Sequence, residues 1–140
     1  MANPRTDRSG RGMKFLVGGI DKTSNHDSGA GKVQTTDGTA NVVLLALQTK
    51  QNVGYTIKAR ITGRKTDSSK VGGYEIQGAF INNAGALSQQ GATSTPFNQA
   101  TDGAWSVAFA ISGTQVQVVV TGKNGDVIDW ACEYKAVIAY

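Results

Sequence analysis

The chain is poor in the residues that carry out chemistry. It holds one cysteine, Cys132, and one histidine, His26, among 140 residues. A single cysteine excludes an intramolecular disulfide. One histidine with one cysteine falls short of the three or four ligands that zinc needs. A Ser/His/Asp or Cys/His arrangement would have to use His26, which lies between Asn25 and Asp27 in a polar stretch, and there is no Gly-x-Ser-x-Gly elbow. No catalytic residue, cofactor site or metal site is therefore expected. Charge is sparse as well, at 17 %, which favours neutral contacts over electrostatic steering. The longest apolar run, at 42–47, is far too short to span a bilayer as a helix. The basic N-terminus has none of the apolar character of a signal peptide. Prolines number only two against 18 glycines, and glycine between apolar runs suits an all-β domain with many turns.

What the chain does have is alternation. In 105–112, Trp105, Val107, Phe109 and Ile111 share one face. In 115–121, Val116, Val118 and Val120 oppose Gln115, Gln117, Val119 and Thr121. In 127–137, Ile128, Trp130, Cys132 and Tyr134 oppose Asp129, Ala131, Glu133 and Lys135. Successive strand side chains point to opposite faces, so each run covers a core on one side. Glycine-bearing turns separate the runs, and Asn124-Gly125 carries the signal of a type I′ hairpin. The expectation is a three-stranded antiparallel meander, with Cys132 as a small buried hydrophobe.

Upstream, 33–36 reads as a short strand after a loop at 21–31. The run 42–47 reads as a strand buried on both faces, with one or two helical turns as the alternative. Tyr55, Ile57, Ala59 and Ile61 alternate with Thr56, Lys58, Arg60 and Thr62. Tyr74, Ile76 and Phe80 alternate with Glu75, Gln77 and Ala79, before a turn at 82–85. A weaker strand at 86–93 and a loop at 96–103 complete the chain. About seven or eight strands with regular turns predict an all-β fold, an antiparallel β-sandwich of jelly-roll-like form. The division expected is an extended basic N-terminal arm and loop at 1–31 and a sandwich domain at 32–140. Residues 1–14 hold Arg5, Arg8, Arg11 and Lys14 against Asp7 alone, so +3 of the net +4 belongs to the arm.

Other chemistry fares poorly on the residues. The strand acids are Glu75, Asp129 and Glu133. The last two share a face at i, i+4, about 13 Å apart, too far for either class of glycosidase; a pairing of Glu75 with one of them across strands stays open. Gly29-Ala30-Gly31-Lys32 lacks the rest of a phosphate loop. Turn chemistry accounts for Asp67-Ser68-Ser69 and Asn124-Gly125-Asp126 without calcium. Lys58, Arg60, Arg64 and Lys65 cluster on one strand face and its loop, yet the aromatics fall on core positions, so no nucleic-acid face is expected.

The segments YTIKARITGRKTD (55–67), GGYEIQGAF (72–80) and AWSVAFAISGTQVQVVVTGKNGDVIDW (104–130) resemble a β-sandwich module of tailed-bacteriophage virion proteins. The likeness covers roughly 55–137. Such modules occur in small head-surface proteins and in tail fibres, usually without enzymatic residues. The resemblance implies a virion structural protein. A short arm before one compact domain suits a capsid decoration (cement) protein, non-enzymatic and homo-oligomeric with a trimer favoured. It would bind the major capsid protein through Arg5, Arg8, Arg11, Lys14, Phe15 and Leu16. The alternative is a tail-fibre or receptor-binding module contacting host surface glycan.

Overall fold

In a computed structural model that describes residues 25–140, the alternating runs become two facing antiparallel sheets. The strands are β1 (His26–Thr35), β2 (Val42–Gln48), β3 (Val53–Lys65), β4 (Val71–Asn83), β5 (Ala86–Ala100), β6 (Ser106–Ser112), β7 (Gln115–Thr121) and β8 (Ile128–Ala139). Five form one sheet in the order β1-β8-β3-β4-β5, and three form the other in the order β2-β7-β6. This is the all-β sandwich that the periodicity predicts. The arm residues Arg5, Arg8, Arg11, Lys14, Phe15 and Leu16 lie outside the described residues.

The core is the set of inward positions read from the sequence. Tyr55, Ile57 and Ile61 of β3, Ile76 and Phe80 of β4, and Trp130 of β8 face Val116, Val118 and Val120 of β7, all buried. Phe80 and Phe109 meet edge-to-face across the two sheets at 5.2 Å. Cys132 is buried as expected, and burial pushes its thiol above the ordinary range. Ile111, expected on the core face, is 40 % exposed at the end of β6.

Four expectations about local structure need correction. The meander breaks after its second strand: β6 pairs with β7, whereas β8 leaves for the larger sheet and pairs with β1 and β3. The reason lies in the turn. The amide of Asp126 donates to the Lys123 carbonyl at 3.0 Å, and only Gly125 has positive φ, at 90°. Positive φ at the second central residue alone is the type II pattern, which splays strands where type I′ would pair them. By contrast Gly113, at φ 59°, opens the two-residue β6–β7 loop and fits type II′.

The 42–47 run is a strand but is not buried on both faces. β2 borders only β7, Val43 is 43 % exposed, and a register shift between Val43 and Leu45 accommodates the buried Leu44. The region 96–103 is not all loop, since β5 runs through Pro96 to Ala100. β5 is an edge strand with two register shifts, where a missing N–H is tolerated. Finally, β1 begins at His26, so half of the stretch read as loop is strand, and Gly29 to Lys32 lie in extended backbone paired with β8.

Several glycines sit inside strands because a ring occupies their Cβ space. A Cβ on Gly63 would meet the Trp130 ring at 2.7 Å, and one on Gly29 would meet the Tyr134 ring at 2.6 Å. Each glycine is the cross-strand partner of the aromatic that covers it.

The β4–β5 hairpin turns through Ala84-Gly85, both with positive φ (53° and 93°), the type I′ pattern. A Cβ is strained there. Ala84→Gly is expected to stabilise the fold by about 0.5–1 kcal/mol, relief of strain less the extra chain entropy of glycine. A higher urea midpoint at unchanged slope would register it; an unchanged or lower midpoint would show that Ala84 is at ease.

Candidate functional site

The two outer faces of the sandwich differ in kind. The outer face of the small sheet carries Val43, Ala46, Gln48, Gln115, Gln117, Ala108 and Ala110, with no charge. The outer face of the large sheet carries Lys32, Lys58, Arg60, Arg64, Glu75, Asp129, Glu133 and Lys135. Register sorts these into rows that run across the strands. One row is Ala30–Glu133–Arg60–Glu75–Phe97; the next is Lys32–Ala131–Thr62–Gly73–Gln99; a third is Gln34–Asp129–Arg64–Val71.

The middle row holds Ala131, Thr62 and Gly73 where its neighbours hold long side chains, and small side chains between two tall rows make a groove. One hollow of about 730 Å³ includes Arg60, Thr62, Gly73, Glu75, Phe97, Ala131 and Glu133 in its lining. A second of about 740 Å³ includes Lys32, Gln34, Thr62, Arg64, Asp129 and Ala131. They share Thr62 and Ala131, so together they form one groove across the sheet. Its floor lies on three neighbouring strands, about 10 Å across at the usual spacing, with Lys32 and Gln99 at its two ends.

Its walls are held by ion pairs and hydrogen bonds on the surface. Arg60 Nη1 lies 3.5 Å from Glu133 Oε1, and Lys58 Nζ lies 3.7 Å from Glu75 Oε2. Gln77 Nε2 also donates to Glu75 Oε2 at 3.2 Å. On the facing wall Arg64 Nη2 donates to Asp129 Oδ2 at 3.2 Å, and Gln34 Nε2 donates to Asp129 Oδ1 at 2.8 Å. Exposed pairs of this kind contribute little to stability. They do hold donors and acceptors in alternation along the groove. Phe97, half exposed, ends the upper wall.

The sequence left open a pairing of Glu75 with Glu133 or Asp129. The register puts Glu75 and Glu133 in one row, two strands apart, with Arg60 standing between them. Lys58, Arg60 and Arg64, grouped by the sequence, do share the outer face of β3, while Lys65 turns to a different cluster. No short motif announces the groove, because its parts come from five strands. The alternation of Thr62 between Arg60 and Arg64 is its single trace in any one segment.

That different cluster closes one end of the sandwich. Asp126, 4 % exposed, accepts from Lys70 Nζ at 3.0 Å and from Trp105 Nε1 at 3.0 Å, with Lys65 Nζ at 3.6 Å. Asp102 accepts from Lys70 at 2.9 Å and Lys123 at 3.0 Å. Hydrogen bonds from Lys70, above all, hold both carboxyls below the usual range. Asp67, bonded first by the Ser69 hydroxyl and amide, is lowered to about 2. Ammonium groups thus occupy the carboxylates that a calcium ion would require. Among the described residues no group of three or more His, Cys, Asp or Glu is arranged to hold a metal. His26 lies on β1 opposite Val137, far in the register from the groove's middle row.

No protein-family model and no curated protein matches the sequence. The fold is similar to part of the tailspike protein of Acinetobacter baumannii phage AM24, with a TM-score of 0.51 and 8 % identity, over 97 % of this chain and 30 % of that one. Lower overlap is found with tailspike gp49 of Acinetobacter baumannii bacteriophage Fri1, a capsular polysaccharide depolymerase (TM-score 0.44, 9 % identity, 99 % and 27 % covered). The tailspike of Acinetobacter phage vB_ApiP_P1 gives 0.39 and 18 % identity, over 96 % and 29 %. The chain spans about a third or less of the length of each tailspike.

Proposed function

We propose that this chain is a tail-associated module of a bacteriophage virion that holds host-surface glycan in the transverse groove of its larger sheet, without cleaving it. The observation that carries this reading is the groove itself. It is shallow and runs across the strands, so a short stretch of polymer can lie along it between Lys32 and Gln99. Its walls alternate guanidinium, carboxylate and amide groups, which donate to and accept from hydroxyls. Its exposed Phe97 offers an apolar face on which sugar C–H groups, of weak positive character, can stack. The fold likeness to a tailspike weighs toward the tail rather than toward a cement protein on the capsid, whose proposed contacts lie in the arm. Immunogold labelling of virions tests the location.

The binding test uses an array of immobilised bacterial surface polysaccharides. Arg60→Ala combined with Phe97→Ala is expected to weaken binding at least tenfold. Both side chains are largely exposed, so the melting temperature should move by only a degree or two. Undiminished binding by a folded double variant would sink the assignment of the groove.

A further inference from the structure

Beside the groove lies a charge arrangement that stability does not account for. Lys58 and Lys135 face each other directly across β3 and β8, and like charges so placed repel. Lys58 reaches Glu75 only at 3.7 Å, on its far side, and Lys135 has no ion pair among the described residues. A notch of about 70 Å³ lies there, lined by Lys58, Arg60, Glu133, Tyr134 and Lys135. That is room for about two waters, or for one small anionic group. Arg60 and Glu133 line both the notch and the groove, so the two are continuous.

The balance of the whole face points the same way. Glu133 and Asp129 are matched by Arg60 and Arg64. Lys135 beside the notch and Lys32 at the β1 end of the groove then have no acidic partner among the described residues, and five cations face three carboxylates.

We infer that the groove takes an acidic polysaccharide, with an anionic substituent of one sugar, a carboxylate or a phosphate, seated between the ammonium groups of Lys58 and Lys135. This rests on the glycan reading above and specifies its substrate class. Glu133 does not oppose it, because its carboxylate is turned to Arg60. Lys32 meets a second charge further along the polymer.

The experiment sets four probes against the whole chain: uronate-bearing polysaccharides, the same polymers after carboxyl reduction, phosphodiester-linked glycans, and neutral glycans of matched length. Binding to acidic members is expected to fall at least tenfold when salt rises from 0.05 to about 0.5 M. It should fall likewise with Lys135→Glu. That variant should melt at the same or a higher temperature, because Lys58 gains a partner. Loss of binding on carboxyl reduction identifies a carboxylate; retention by phosphodiester polymers alone identifies phosphate. Binding confined to neutral glycans, or unchanged by Lys135→Glu, overturns the inference and leaves the glycan reading standing. Binding to none of the four overturns both.

Discussion

Trp130→Ala is expected to remove about 4 kcal/mol of folding stability, about a quarter or more of what a domain usually has. The indole is 1 % exposed, on the core face toward the end of the sandwich that the Asp126 cluster closes. Its ring stands 5.6 Å from Trp105 and 6.3 Å from Tyr74. Its Nε1 donates to Thr35 Oγ1 at 2.9 Å, which ties β8 to the end of β1. Truncation leaves a cavity that the surrounding rings cannot close, exposes Gly63 without its cover, and strands a buried hydroxyl. Chemical denaturation followed by circular dichroism measures the loss. Trp130→Phe keeps most of the ring and should lose far less. Equal losses for the two variants would show that the Thr35 hydrogen bond, not the packing, is the main contribution.

Asp126→Asn should give the largest drop in melting temperature of any charge substitution, well beyond that of Lys123→Ala. The carboxylate joins three connections: Lys65 and Lys70 from the β3–β4 turn, Trp105 before β6, and Asp126 itself before β8. Its loss leaves ammonium groups crowded together and a buried indole N–H competing for one amide oxygen. The same cluster sets the acid response. The carboxyls of Asp67, Asp102 and Asp126 titrate below their ordinary value of 3.8 in the folded chain. Folding is therefore favoured by their ionisation above that value. The contribution is lost as pH falls through 3.8 toward the depressed values, because the unfolded chain then binds more protons than the folded one. Asp126→Asn should flatten the stability profile below about pH 4. A parallel profile, merely displaced downward, would place the acid sensitivity elsewhere.

The fold was legible where one strand carries its own pattern. Tyr55 to Ile61 alternate without interruption, and Tyr74 to Phe80 and Val116 to Val120 break only at Gly78 and Val119. Tyr55, Ile57, Ile61, Tyr74, Ile76, Phe80, Val116, Val118 and Val120 face the core as the alternation requires. What the sequence hides is partnership between distant strands. Nothing in 127–137 tells whether that strand returns along Val116 to Val120 or crosses to Tyr55 to Ile61, since both offer apolar neighbours. The dihedral of Asn124 decides, and Asn-Gly fits type I′ and type II turns alike. Pro96 misleads for a related reason, because a proline breaks an inner strand and leaves an edge strand intact. The groove was less legible still. Thr62, Ala131 and Gly73 are unremarkable in their own segments and become a floor only when register lines them up.

The departure of β8 from its neighbour in sequence also shapes how the chain can acquire its structure. β8 is an interior strand of the larger sheet, flanked by β1 and β3. During synthesis β3, β4 and β5 can pair as they emerge, and so can β6 and β7. β1 emerges before any of them and has no neighbour in its sheet until residues 128–139 leave the ribosome. The nascent chain thus exposes the β3 edge and an unmated β1 for most of translation, a template for pairing with other nascent chains. Closure across more than ninety residues of separation makes for slow folding. The charged outer positions of β3, Lys58, Arg60 and Arg64, then act early as guards of that open edge.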